Sequence, residues 1–76
     1  MSKPIQPVYR ILGTKIELMR NTLGWTQEDL RKKVGLTRTS IANIEAGRQR
    51  ILLHDLETLA KAFGCTPKQI LRGIWT

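Results

Sequence analysis

The most restrictive stretch of this sequence lies between residues 26 and 47, where two short apolar patterns are separated by a turn with a single glycine. Thr26 is followed by Gln27-Glu28-Asp29, an N-cap residue with acidic groups in the first turn, where the positive end of a helix favours them. Leu30 and Val34 supply the inward positions of a helix over residues 27–34. Gly35 ends it, because glycine takes the positive φ of a tight turn without steric cost. Thr37 then caps a second helix, residues 37–46, with Ile41 and Ile44 facing inward and Gly47 at its close. Leu30, Val34, Leu36, Ile41 and Ile44 all fall on one side, which locks the two helices together and leaves Arg38, Thr39, Ala42 and Asn43 on the outer face of the second. Two helices this short, joined this closely, have the spacing of a helix-turn-helix.

The same punctuation continues on either side. Leu12, Ile16, Met19 and Leu23 recur at steps of four, three and four, which keeps them in one narrow stripe at 100° per residue. Pro7 suits a first-turn position and Gly24 the left-handed residue that ends a helix, so a first helix is expected over residues 8–22. Leu56, Leu59, Ala60 and Phe63 give a fourth amphipathic segment, closed by Gly64. Thr66-Pro67 opens a fifth, burying Ile70, Leu71 and Ile74. No segment alternates with period two for long enough to be a strand. The expected fold is all-α, five helices in a single domain over residues 1–76, with residues 1–7 as a flexible arm.

A chain of 76 residues buries only roughly 60% of the surface its unfolded form exposes, enough for one small core and too little for a catalytic cleft of ordinary size. Cys65 and His54 are the only cysteine and histidine, so neither an internal disulfide nor a four-ligand zinc site is available, and no metal or cofactor is expected. No phosphate loop, paired carboxylates or nucleophile–base pair is visible, so the chain does not read as an enzyme, and no small-molecule ligand is evident. No apolar run reaches a spanning length, and Met1-Ser2-Lys3-Pro4-Ile5-Gln6-Pro7 lacks the apolar stretch of a signal peptide. The expected location is the cytoplasm, away from membranes. Trp25 and Trp75 read as packing residues, Cys65 as a buried core thiol and His54 as a loop or helix-start residue without chemistry.

Charge narrows the choice of partner. Thirteen Lys and Arg against six Asp and Glu leave a formal net charge of +7, with a pI near 10.4, which points to a polyanion. Arg31, Lys32, Lys33, Arg38, Arg48 and Arg50 stand against Glu45 alone within residues 31–50, so most of the surplus gathers around the two motif helices. Beside that spacing, the cluster points to nucleic acid.

The stretch Leu12-Gly13…Ile16…Met19-Arg20…Gly24-Trp25-Thr26-Gln27-Glu28-Asp29-Leu30, leading into Gly35-Leu36-Thr37…Ser40-Ile41…Ile44-Glu45-Ala46-Gly47, resembles the phage repressor and Cro-like helix-turn-helix family. The tail Leu59-Ala60-Lys61-Ala62-Phe63-Gly64-Cys65-Thr66-Pro67 is similar to that family's closing helices, so the resemblance spans residues 11–73. It implies that residues 37–46 lie in the major groove of double-stranded DNA while the preceding helix crosses the backbone. It places Arg38 in a base-reading slot, where its planar fork spans O6 and N7 of guanine, and Thr39 in the next, with its methyl on a thymine methyl. Asn43 follows a turn later, with Ala42 on the same face. Gln27 matches a phosphate-gripping glutamine at a positive helix end, Thr37 and Ser40 add hydroxyls, and Arg48 and Arg50 meet the backbone or minor groove.

Arg31 departs from the family's small residue and is expected to snorkel outward, within reach of a phosphate. Ile51-Leu52-Leu53 lacks the Ser or Pro that often precedes the fourth helix. Arg20 and Glu45 match a pair that forms a structural salt bridge in such proteins. Dimerisation through the closing helix makes Ile70, Ile74 and Trp75 the expected interface, with two reading helices about 34 Å apart over a palindromic operator. The resemblance thus implies a sequence-specific transcriptional regulator, a repressor or autoregulator of phage, plasmid or restriction–modification control type, working as a homodimer. The alternative it leaves open is the antitoxin of a toxin–antitoxin pair, with a second surface for a protein toxin.

Overall fold

The structure, a computed structural model, describes residues 6–75. Helices α1 (Pro7–Thr22), α2 (Gln27–Val34), α3 (Arg38–Glu45), α4 (Leu53–Phe63) and α5 (Pro67–Leu71) follow one another, with no strand among the described residues. Residues 1–5 of the expected arm lie outside the described residues. Gln6 and Pro7 belong to the first helix, Gln6 as its N-cap and Pro7 as its first residue. Helix formation there costs nothing, because the N–H that proline lacks has no partner in a first turn.

Three threonines start three helices. Thr26 Oγ1 accepts the Asp29 N–H at 3.0 Å while the Asp29 carboxylate accepts the Thr26 N–H at 2.9 Å, a closed capping box. Thr66 and Gln69 repeat it at 3.2 and 2.8 Å, and Thr37 Oγ1 accepts the Ser40 N–H at 3.0 Å. Leu52 occupies the cap of α4 with no side-chain bond, as the missing Ser or Pro there implies. Gly35 and Gly64 end α2 and α4 with φ of 71° and 76°.

The core draws on every helix: Ile16, Leu30, Ile41, Ile44, Leu59 and Ile70 are fully buried. At about 1.5–3 kcal/mol for each side chain removed from water, this cluster is the main attraction holding α2 and α3 in their angle. The α1 stripe is shorter than its spacing implied. Leu12 and Ile16 are buried and Met19 half-buried, but Leu23 is 46% exposed. Leu23 stands at the cap past the end of the helix, while Trp25 packs against the core, stacked on Phe63 with ring centroids 5.8 Å apart. Cys65 is half-buried against the core rather than enclosed by it.

The expected dimer surface needs a larger correction. Ile70 is 0% and Ile74 3% exposed, so both are core residues and unavailable to a partner. Helix α5 has five residues, too short to carry one apolar face inward and another outward, and closing the core against α1 and α4 takes the inward one. Trp75 alone of the three is on the surface, 74% exposed. Gly13 marks the place where α1 crosses α3. A Cβ there would collide with the Ile44 carbonyl oxygen and lie 2.8 Å from that of Glu45, so the crossing requires glycine.

Candidate nucleic-acid interface

A free outer face on α3 requires that α3 itself be held from behind, and one buried carboxylate does this. Glu45 is the last residue of α3, where the helix dipole disfavours a negative charge, so it needs cationic partners. Arg20 of α1 supplies two bonds, Nε to Oε2 at 2.6 Å and Nη2 to Oε1 at 2.9 Å. The third nitrogen, Nη1, donates to the Trp25 carbonyl at 2.6 Å and to Asn21 Oδ1 at 3.1 Å, so the guanidinium also shapes the turn into α2. Hydrogen bonding to Glu45 raises the basicity of Arg20 above its ordinary value, against the opposing effect of burial. Gln27, the first residue of α2, donates its side-chain amide to Glu45 Oε1 at 3.0 Å. The glutamine expected to grip a phosphate thus has one amide hydrogen engaged inside the domain, and its carboxylate partner ties α1, α2 and α3 together.

The basic cluster of the sequence divides in two. On α2, Arg31 forks onto Glu28, Nε to Oε1 at 3.1 Å and Nη2 to Oε2 at 2.8 Å, one turn back on the same helix. These bonds hold the Glu28 carboxyl below its ordinary range. Arg31, the residue expected within reach of a phosphate, is thus paired within its own helix, partly exposed beside Glu28. Lys32 also approaches Glu28, at 3.8 Å, and Lys33 lies over the Trp25 ring, 4.6 Å from its centroid. On the other side of the motif, Arg38, Arg48 and Arg50 are exposed and make no side-chain hydrogen bond or ion pair with any described residue.

The α3 face carries Arg38 and Thr39 exposed in its first turn and Ala42 and Asn43 half-buried one turn on. Thr37 uses its hydroxyl oxygen as cap acceptor, which leaves its hydrogen to donate, and Ser40 is half-buried beside it. What the arrangement offers is a short helix with a planar, unpaired guanidinium at its leading end and two more just past its trailing end. That suits a long anion with readable edges, and among the described residues no cluster of His, Cys, Asp or Glu is placed to hold a metal.

The sequence model of the helix-turn-helix family matches residues 16–70, which takes in α2, α3 and the core around them. The chain belongs to the helix-turn-helix family. A hypothetical transcription factor of Neisseria meningitidis is 35% identical over 66 residues, 87% of this chain and 62% of that protein. The competence pilus inhibition repressor of Acinetobacter baylyi is 37% identical over 59 residues, 78% of this chain and 54% of that one. This helix-turn-helix chain therefore spans less than two thirds of the length of these two relatives. Among solved structures, the restriction–modification controller protein C.AhdI of Aeromonas hydrophila superposes with a TM-score of 0.78 at 25% identity, over 84% of this chain and 96% of that one. No helix among the described residues is long and apolar enough to cross a membrane.

Three contacts of this helix-turn-helix domain had no signal in the sequence. Lys15 Nζ donates to the carbonyls of Gln69 and Arg72, both at 2.9 Å, and so satisfies the end of α5 from a position 54 and 57 residues away. The Gln27–Glu45 bond and the Lys33–Trp25 contact likewise join positions whose spacing carries no pattern. Only the approach of α1 to α5, of α2 to α3 and of α2 to Trp25 creates them.

Proposed function

We propose that this protein is a sequence-specific regulator of transcription, not an enzyme, that binds double-stranded DNA in the cytoplasm with α3 in the major groove. The observation that carries this reading is the contrast between the two sides of the motif. The cations of α2 are paired or stacked, while Arg38, Arg48 and Arg50 are exposed and unpaired along α3. Arg38 reads a guanine, Thr39 and Ala42 meet apolar base edges, and Asn43 bridges an adenine or holds a phosphate. Gln27, Thr37, Ser40, Arg48 and Arg50 position the domain on the backbone without specifying sequence.

We assign the self-association surface to the exposed apolar residues Leu52, Leu53 and Trp75 rather than to Ile70 and Ile74. A groove of about 180 Å³ between Tyr9, Leu53, Leu71 and Trp75 gives this surface a concave element for a second copy. Two copies spaced by about 34 Å read a palindromic operator, and occupancy of that operator is the regulatory act, of the phage or restriction–modification control kind.

Selection of bound fragments from a random duplex pool, followed by titration of variants, tests the reading. Arg38→Ala relaxes preference at one base pair by about 1–3 kcal/mol of discrimination, whereas Arg48→Ala weakens all sequences alike and flattens the salt dependence. Equal losses on selected and random DNA for both variants remove Arg38 from the reading role.

A further inference from the structure

A cleft away from the outer face of α3 stands out on the molecule. It lies at the start of α1, a space of about 790 Å³ lined among others by Pro7, Arg10, Thr14, Ala46 and Arg48. Two glycines build it. Gly13 brings α1 onto the last turn of α3. Gly47, at φ +72°, lies so close that a Cβ on it would stand 2.6 Å from Arg10 Cα and 3.0 Å from Arg10 Cβ. These contacts fix Arg10 of α1 beside the α3–α4 loop and hence beside Arg48.

Both arginines are exposed, and neither guanidinium has a hydrogen-bond or ion-pair partner among the described residues. The acid lining the cleft, Glu45, is engaged by Arg20 and Gln27, so it does not neutralise them. The field is sharpened by the α1 start, whose cap residue makes no side-chain bond and whose first turn carries no acid. Two unpaired guanidiniums lining one open cleft suit a tetrahedral oxyanion, which each can meet with charge-assisted hydrogen bonds.

We propose that this cleft seats a backbone phosphate of the bound duplex, with Arg10 as a DNA-positioning residue acting jointly with Arg48. The inference rests on the DNA-binding reading above and adds a contact from α1, an element outside the two motif helices. Scale supports it. The eight residues of α3 span about 12 Å at 1.5 Å per residue, and the major groove is about 12 Å wide. With Arg38 at a base edge, the cleft at the far end of α3 meets the wall of the same groove.

The test measures affinity of the unmutated chain, Arg10→Gln, Arg48→Gln and the double variant for selected and random duplexes across a salt series. Losing a whole phosphate contact lowers the salt slope by about 0.9, so Arg10→Gln, which leaves Arg48 on the shared phosphate, is expected to lower the slope by at most that much and to lose up to about 3.5-fold less affinity than the unmutated chain between 50 and 200 mM salt. The loss is the same on both duplexes, and the double variant loses less than the sum of the singles, because both side chains hold one phosphate. An unchanged melting curve checks that Arg10→Gln folds. Unmutated affinity and slope in Arg10→Gln, or strict additivity in the double variant, overturns the shared seat while leaving the parent reading intact. Failure of the unmutated chain to bind any duplex overturns both. Inorganic phosphate provides the last arm: if it shifts the Arg10 and Arg48 side-chain resonances and duplex DNA does not, the cleft holds a free anion and the assignment to DNA falls.

Discussion

Removing Glu45 isolates what the buried bridge contributes. In Glu45→Ala the Arg20 guanidinium loses the bonds at 2.6 and 2.9 Å but stays in place, since Nη1 is still held by the Trp25 carbonyl and its side chain is only 9% exposed. An uncompensated charge left buried in this way costs about 3–5 kcal/mol. A domain of 76 residues has about 4–11 kcal/mol of stability in total. The loss therefore consumes a large share of it and lowers the thermal midpoint by at least about 12 °C, at 4–8 °C for each kcal/mol. Thermal and urea unfolding followed by circular dichroism measure the change. The double variant Arg20→Met/Glu45→Leu is the decisive comparison. With both charges gone and apolar groups of similar volume in their place, it is expected to be more stable than Glu45→Ala. A loss below about 1 kcal/mol in Glu45→Ala, or a double variant that shows the sum of the two single losses, refutes the claim that charge pairing holds α1 to α3.

Gly13→Ala reverses the usual sign of such a change: a helical Gly→Ala normally gains about 0.5–1 kcal/mol, but here the methyl strikes the Ile44 carbonyl, so the melting midpoint falls. Thr37→Ala removes the hydroxyl that caps α3 and costs about 1 kcal/mol by denaturant titration. Acid stability follows from the first turn of α2. The Asp29 carboxyl is held below its ordinary range, first by the Thr26 N–H, and Glu28 by Arg31. Their stabilisation is present in full above about pH 5 and is lost as pH falls through the lowered values. Asp29→Asn is therefore expected to shallow the acid limb of a stability–pH curve while leaving a flat profile near neutrality. Leu53→Asp places a charge at the centre of the exposed apolar surface and yields a folded monomer by sedimentation; continued self-association places the interface elsewhere.

Local chemistry made much of the fold legible. Thr26, Thr37 and Thr66 satisfy amides three residues away, Gly35 and Gly64 turn the chain with a φ few other residues adopt, and the apolar steps within α2, α3 and α4 choose an inward face. These effects act within a turn or two of helix, so they can be read from neighbours in sequence. Reading failed where an answer depended on which element lay opposite. Leu23 fitted the α1 stripe but stands exposed at the end of the helix, while Trp25 packs against the core on Phe63, which α4 brings over. The spacing of Ile70 and Ile74 gives an inward face, but nothing in it says that elements of the same chain, rather than a second copy, cover that face.

Charge shows the same division. The sequence alone determined that a small all-helical domain with a helix-turn-helix would carry its positive surplus near residues 31–50. Only the tertiary structure decided which of those cations are free. Arg48 is set beside Arg10 by the glycine-only approach of α1 to the α3–α4 loop, and Lys33 lies over Trp25, whereas Arg31 meets Glu28 one turn back on its own helix. Capping and periodicity are short-ranged and written into neighbouring residues. Pairing along one helix, as between Arg31 and Glu28, is short-ranged too; the bridge of Arg20 to Glu45 and the placing of Arg48 beside Arg10 depend on distances of a few ångströms across separate elements, and packing sets those.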